Sequence, residues 1–223
     1  MQSTFKALIA VCTFSMVVGI ARGNPITNPS FETPTVATGG FTNYVTGSTS
    51  ITGWTVTGPG GVSIVSGTFN QNGVTFNAED GIQWLDLTGD GSNSTEGVQQ
   101  SVATTSGTNY VLTFYVGNTT GGGIFGTTST VGLDINGAQV NTYENSNTDA
   151  TGLNWEQFTY SFMATGASTT IGFVNLDPSG DNSNGLDLVD LEVGTVSTVP
   201  EPATVGLVGL ALVAVVFKKR QSR

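Results

Sequence analysis

The sequence predicts an all-β fold, a two-sheet antiparallel β-sandwich. Two observations carry this. Between residues 24 and 198, apolar and polar side chains alternate in short runs with period two, as in strands that bury one face. Gly, Asn, Ser and Thr separate the runs, and the chain holds 31 glycines, which is the punctuation of tight turns. The same span shows no helical period of useful length and no repeat of fixed length.

In chain order, Asn28-Pro29-Ser30-Phe31-Glu32 opens the domain. Short strands are expected at residues 51–56, 62–65 and 82–87, the last stopped by Gly89-Asp90-Gly91, and another at 97–102. Over residues 110–116, Tyr110, Leu112, Phe114 and Val116 share one face, and Val111, Thr113 and Tyr115 share the other. Val131, Leu133 and Ile135 alternate with Gly132 and Asp134. Asn136-Gly137 then makes a two-residue hairpin turn into residues 138–143. Over 155–163, Phe158, Tyr160 and Phe162 point inward and Gln157, Thr159 and Ser161 outward. Strands at 168–175 and 186–193 close the domain.

The two ends read as addresses rather than as parts of the sandwich. Residues 1–23 carry Lys6, an apolar stretch from Ala7 to Ile20 and then Ala21-Arg22-Gly23, the layout of a secretory signal peptide. It contains Cys12, the one cysteine of the chain, so the domain at 24–198 has neither disulfide nor thiol chemistry. Residues 199–223 begin Val199-Pro200-Glu201-Pro202. An uncharged run at 203–217 follows, and Lys218, Lys219, Arg220 and Arg223 finish it. Prolines at 200 and 202 force an extended spacer. As a helix the run reaches about 22 Å, short of the ~30 Å of a bilayer core, with a positive-inside flank. This order resembles the PEP-CTERM sorting signal of bacterial exosortase substrates, matched at Pro200, Glu201 and Pro202. The resemblance implies an exosortase as processing partner, a transient membrane helix, and delivery through the inner membrane to the envelope, surface or matrix.

Charge narrows the function classes. All six basic residues lie outside 24–198, there is no histidine, and of sixteen acidic residues only Glu201 lies outside that span, leaving fifteen within it. Such a domain has no basic footprint for nucleic acid and forms no internal side-chain salt bridge. Without histidine or cysteine, Ser–His–Asp and Cys–His catalysis and imidazole or thiolate metal sites are excluded. Oxygen ligands remain, and those suit calcium.

The serial order of pieces is also informative: Asn-x-Ser-Phe-Glu, then Gly53-Trp54, Trp84-Leu85-Asp86-Leu87, Gly97-Val98-Gln99-Gln100, Tyr110 to Phe114, Trp155 with Phe158 and Phe162, and a final acidic strand. It resembles the galactose-binding-like jelly rolls found among carbohydrate-binding modules and other secreted bacterial proteins, across most of 24–193. The resemblance implies a non-catalytic carbohydrate-binding or adhesion module, with envelope or extracellular polysaccharide as its partner. It also implies a structural Ca2+ held near the two ends of the domain by Glu32 and Asp190, with Asp187 as a spare ligand. Leu188-Val189-Asp190-Leu191 keeps only the second aspartate of the family's usual Ile-Asp-Asp-Val.

Among residues fit for chemistry, Trp54, Trp84 and Trp155 occupy strand positions where core aromatics fall. Tyr115, on the polar face of its strand, is the better exposed candidate for stacking a ligand; Tyr44, Tyr143, Gln99 and Gln100 are further candidates. A glycosidase needs two carboxylates about 5–10 Å apart, and nothing selects a pair from Glu79, Asp80, Asp86 and Glu156, so no catalytic residue is assigned. The loop at 181–187 alternates oxygen-bearing residues but misses the EF-hand spacing. Two rivals to the binding module are a structural biofilm or matrix component without a ligand site and a glycoside hydrolase or lyase. An ice-binding surface would need regular Thr-x-Thr ranks, which are lacking.

Overall fold

The computed structural model describes residues 23–89, 95–121, 123–147, 149–178 and 183–194. The sorting tail with Pro200, Glu201 and Pro202, and the signal peptide apart from Gly23, lie outside the described residues. Two sheets form the sandwich. The six-stranded sheet has the order β1 (Phe41–Val45), β3 (Gly61–Ser66), β6 (Gln83–Asp86), β13 (Gly185–Val193), β8 (Asn109–Asn118), β11 (Asn154–Met163). The five-stranded sheet has the order β10 (Ala138–Asn145), β9 (Ser129–Ile135), β12 (Ser168–Asn175), β7 (Gly97–Ala103), β2 (Thr55–Thr57). A small hairpin, β4 (Asn70–Gln71) and β5 (Val74–Thr75), stands apart from both. Pairing within all three is antiparallel, and no helix occurs among the described residues.

Alternation builds the core as the sequence predicts. Tyr110, Leu112, Phe114 and Val116 of β8 are all buried, and they meet Val131 and Leu133 of β9 and Ile171 and Phe173 of β12 between the sheets. Asn136 and Gly137 both take positive φ, 54° and 78°, so Ile135 pairs directly with Ala138. That is the backbone of a two-residue hairpin whose twist matches its strands. Phe158, Tyr160 and Phe162 do face the core, but they are only half-buried, because β11 is the edge of its sheet.

The two ends of the domain are laced together by hydrogen bonds. Asn24 donates from Nδ2 to the Val189 carbonyl (2.9 Å) and accepts the Leu191 N–H (3.1 Å), while the Val189 N–H reaches the Pro29 carbonyl (2.9 Å). Within β13 the register slips between Asp187 and Asp190, with Leu188 at φ 47°. This bulge keeps both aspartates on the outer face while Leu186, Val189 and Leu191 stay in the core.

Five elements depart from the sequence expectation. The strand expected at 51–56 contracts to Thr55–Thr57: Gly53 adopts φ 82° and the Trp54 N–H closes a turn on the Ile51 carbonyl. The strand at 82–87 is trimmed to Gln83–Asp86. The unexpected β1 and β4–β5 have little alternation to reveal them; Asn72-Gly73, at φ 52° and 85°, turns the small hairpin.

Candidate functional site: an aromatic cleft on an outer sheet face

A second apolar cluster lies outside the sandwich, on the outer face of the six-stranded sheet. Val65 of β3 and Trp84 of β6 form its floor. Val74 of β5, Phe76, Phe125 and Leu153 cover them, with Phe69 and Trp155 packed alongside. Trp84 stacks on Phe76 at 6.0 Å and donates from Nε1 to the Phe76 carbonyl at 3.0 Å. Phe76 meets Phe125 edge-on at 5.0 Å and Phe69 at 5.6 Å, and Phe69 meets Phe41 at 5.4 Å. Ring contacts of this geometry add roughly 0.5–1.5 kcal/mol each beyond the area they bury.

Trp155 reaches this cluster from the far edge of the sheet because two glycines let it. Gly117 of β8 and Gly185 of β13 are register neighbours, and Trp155 of β11 sits beside them. A Cβ on Gly117 would stand 2.8 Å from the indole, and one on Gly185 would stand 2.9 Å from it. Across this bare backbone the ring lies flat, meets Trp84 edge-on at 6.0 Å and donates from Nε1 to the Asn77 carbonyl at 3.0 Å.

The cluster leaves a cleft of about 230 Å³. Phe41, Phe69, Phe76, Trp84, Phe125 and Ile124 supply apolar walls; Ser63, Gln71 and Asp86 supply polar groups. Phe41 and Ile124 form an exposed rim, 47% and 39% accessible. Asp86 is buried, and its Oδ1 accepts the Thr88 N–H (3.0 Å), the Thr88 hydroxyl (2.8 Å) and the Asn184 N–H (3.2 Å). Burial pushes its carboxyl up to about 7 against the pull of those donors, and the nearby Glu96 adds to the rise.

The other residues singled out by sequence lie as follows. Trp54 is a core side chain, packed on Phe31 and Phe173 with its Nε1 on the Asn28 carbonyl. Tyr44 and Tyr143 are also core residues. Tyr115 is half-buried on the outer face, opposite Gln157 and Asp187, and is not a lining residue of the cleft. Gln100 is buried and holds the Thr27 backbone through both ends of its amide, while Gln99 is exposed. Glu156 accepts from Asn147 and Asp80 from the Ser30 hydroxyl, so the four carboxylates do not gather at the cleft. Glu32 accepts the N–H groups of Ile82 and Gln83 on Oε1 (2.8 and 3.0 Å). Buried Asp187 accepts those of Glu79 and Asp80 on Oδ2 (3.0 Å each) and of Leu188 on Oδ1 (2.8 Å). Both carboxylates thus fasten the loop at 79–83. Asp190 lies opposite Thr113, and among the described residues no three acidic side chains are close enough to share an ion. Sequence reasoning missed Phe41, Phe69, Phe76, Phe125 and Gln71. The one signal of the four phenylalanines is that large aromatics stand in Gly-, Asn- and Thr-rich stretches, outside any alternating run that would bury them; Gln71 has none.

Comparison with known proteins gives the family and the address. The family described as "Protein of unknown function (DUF642)" matches residues 24–190, and the PEP-CTERM protein-sorting motif matches 198–221. The motif directs the chain across the inner membrane to the cell envelope or surface. No curated protein matches the sequence. Among solved structures, an apo cyclase from Fischerella sp. superposes with TM-score 0.58 at 20% identity, over 80% of this chain and 98% of that one. The Stig cyclase Fisc from Fischerella sp. TAU, in complex with an indole compound, gives 0.55 at 19% identity, over 78% and 98%. The CBM22-1 xylan-binding domain of Paenibacillus barcinonensis Xyn10C gives 0.44 at 20% identity, over 73% and 100%. At these identities the likeness to the cyclases is one of fold.

Proposed function

We propose, from the premise that the chain belongs to the DUF642 family, that its sandwich is a non-catalytic saccharide-binding module placed at the cell surface by its sorting tail. The observation that carries this reading is the aromatic cleft. A sugar ring has an apolar C–H face and a rim of hydroxyls. The walls formed by Phe41, Phe69 and Phe125 suit the face, and the oxygens of Ser63 and Asp86 and the Gln71 amide suit the rim. The packing supports the same reading: a folded domain has little reason to leave a gap among packed rings unless something enters it. The ligand is then an envelope or extracellular polysaccharide, met where the protein is delivered. The exosortase is the processing partner, and replacing Pro200, Glu201 and Pro202 with alanine leaves an unprocessed chain in the inner membrane, seen by intact mass.

Asp86 favours a second reading. A carboxyl held near neutrality beside an aromatic wall has the character of a general acid. A glycosidase pair is not assembled, since Asp86 is the one carboxylate among the described lining residues. A glycan array with the purified chain separates the readings. Saturable binding to one glycan class without product release supports the module. Uniform silence supports a purely structural matrix role, and sugar release that is abolished in Asp86→Asn supports the enzyme.

A further inference from the structure

The register of the six-stranded sheet sorts its outer face into levels. Phe41 pairs with Val65 and Val65 with Trp84, so one level across β1, β3 and β6 is apolar. Two residues along, Asn43 pairs with Ser63 and Ser63 with Asp86, so the next level is polar. Side chains two apart share a face, and the cleft lies over both levels. Phe41, Val65 and Trp84 line it, and so do Ser63 and Asp86. Aromatic and polar ground thus stand side by side on one rigid sheet.

Asp86 sets the character of the polar level. It is 8% accessible, and it is the one carboxylate among the described lining residues. Its Oδ1 accepts three hydrogen bonds, from the Thr88 N–H, the Thr88 hydroxyl and the Asn184 N–H, while its Oδ2 accepts none among the described residues. A carboxyl oxygen buried at the side of a cleft and left without a donor calls for one. The Ser63 hydroxyl is turned elsewhere and donates to Asn43 Oδ1. No cationic side chain of the domain can serve, because residues 24–198 contain no lysine, arginine or histidine. The donor that best answers a buried carboxylate is a cation, and here it must arrive with the ligand.

Charge on the domain points the same way. Fifteen acidic residues and no basic one set up a negative potential that repels anions and concentrates cations. A polysaccharide built on uronic acids meets that field as a like charge, and one that carries amino groups meets it as a counter-ion. We propose that the cleft takes an amino-sugar polysaccharide with free amines, one ring lying on the aromatic wall and its ammonium group against Asp86. The inference rests on the saccharide reading above and narrows it from any glycan to a cationic one. At about 230 Å³ the cleft is smaller than the ~300 Å³ at which pockets for drug-sized ligands begin, so it holds a ring of the chain rather than a long stretch. N-acetylation removes the charge and adds bulk at the same nitrogen, which leaves the carboxylate without its cation.

The test is calorimetry on the full chain at about pH 6.5, below the usual range of an α-amino group, so that a sugar amine carries its proton. The probes are oligomers of glucosamine and of galactosamine, their N-acetylated forms, a uronic acid oligomer and a lysine oligomer. Salt is held at ~0.5 M, where the Debye length is a few Å, so attraction to the general charge of the domain is screened and a contact pair is not. An amino-sugar oligomer is expected to bind about tenfold or more tighter than its N-acetylated form, and the uronic acid oligomer not to bind. Asp86→Asn keeps an oxygen for Thr88 and Asn184, so its Tm should stay close to wild type. In that variant the preference for the free amine should disappear while binding of the N-acetylated form remains. Glu192→Gln, exposed on β13 and outside the cleft, removes a charge of the same sign and should keep the preference. If the wild-type chain binds the N-acetylated or uronic acid form as tightly as the amine, the inference is overturned and the saccharide reading stands. The same follows from full preference in Asp86→Asn, or from a lysine oligomer bound as tightly as the amino sugar. Silence toward every saccharide, here and on the array, removes both.

Discussion

The space between the sheets and the outer face above β6 are both filled with aromatic rings, yet they are assembled from different parts of the chain. Inside, every ring around Phe114 comes from a regular strand: Tyr143, Phe158 and Phe173 lie 5.1, 6.1 and 5.0 Å away. Outside, Trp84 is met by Phe76 and Trp155, and Phe76 by Phe69 and Phe125. Of these five, only Trp84 and Trp155 sit in strands. Strand pairing fixes the inner set without further help. Side-chain to backbone bonds, Trp84 to Phe76 and Trp155 to Asn77, fix the outer one. The inner set closes completely; the outer one closes around a gap. A loop-built aromatic surface is thus where this fold leaves open the space proposed as the ligand site.

Breaking the inner set should cost most. Phe114→Ala removes a fully buried ring and should destabilise by about 3–5 kcal/mol, read in a denaturant melt. A cost below about 1 kcal/mol would mean the sheets do not pack as described.

Raising the pH should come next. Burial lifts Asp187 to about 7 from a usual 3.8. A carboxyl raised in the folded state stabilises fully below its unfolded pKa, and that stability is lost as pH climbs through the folded one. In chelator, the chain should therefore lose about 2 kcal/mol between pH 5.5 and 8 from this group. Mutual repulsion of the acidic side chains acts in the same direction. A stability that rises across that window would contradict the description of Asp187.

Gly185→Ala tests how the outer set is held. Its Cβ would meet the Trp155 ring at 2.9 Å and the Gly117 Cα at 3.1 Å, so the indole must lift off at a cost of about 1–3 kcal/mol. Tryptophan fluorescence should shift red as the ring meets water; an unchanged spectrum would show that Trp155 does not lie in that trough. Smaller still is Phe162→Ala, on the half-buried edge strand, at about 1–2 kcal/mol. The same truncation at Gln157, on its outer face, should stay within about 0.5 kcal/mol. Equal effects would mean that the register of β11 is wrong.

The inner set was legible in the sequence because alternation on β8, β9 and β11 is a direct imprint of one buried face. Asn136-Gly137 even gave the register of a hairpin. The cleft was not legible, for a physical reason. Phe69, Phe76 and Phe125 acquire a common surface only after β3, β6 and the small hairpin are in place, and no local period records that. Trp84 and Trp155 were visible as tryptophans on strands, but their outward direction depends on register. The role of Gly117 and Gly185 depends on a ring arriving from another strand. Tyr115 stood out by alternation alone, which reports that a side chain faces outward but not what it faces.

The most direct test of the cleft sets those two surfaces against each other. Affinity for the glycan class captured on an array is measured by calorimetry for the wild-type chain, for a Phe41→Ala, Gln71→Ala variant and for Tyr115→Ala. Gln71 is exposed, so its truncation should leave stability within about 0.5 kcal/mol, while Phe41, 47% accessible and packed edge-on against Phe69, should cost about 0.5–1.5 kcal/mol without unfolding the chain. The cleft variant should lose binding by about tenfold or more, and Tyr115→Ala should bind as wild type. Full affinity in the cleft variant, with binding lost in Tyr115→Ala, would contradict the assignment of the cleft as the ligand site.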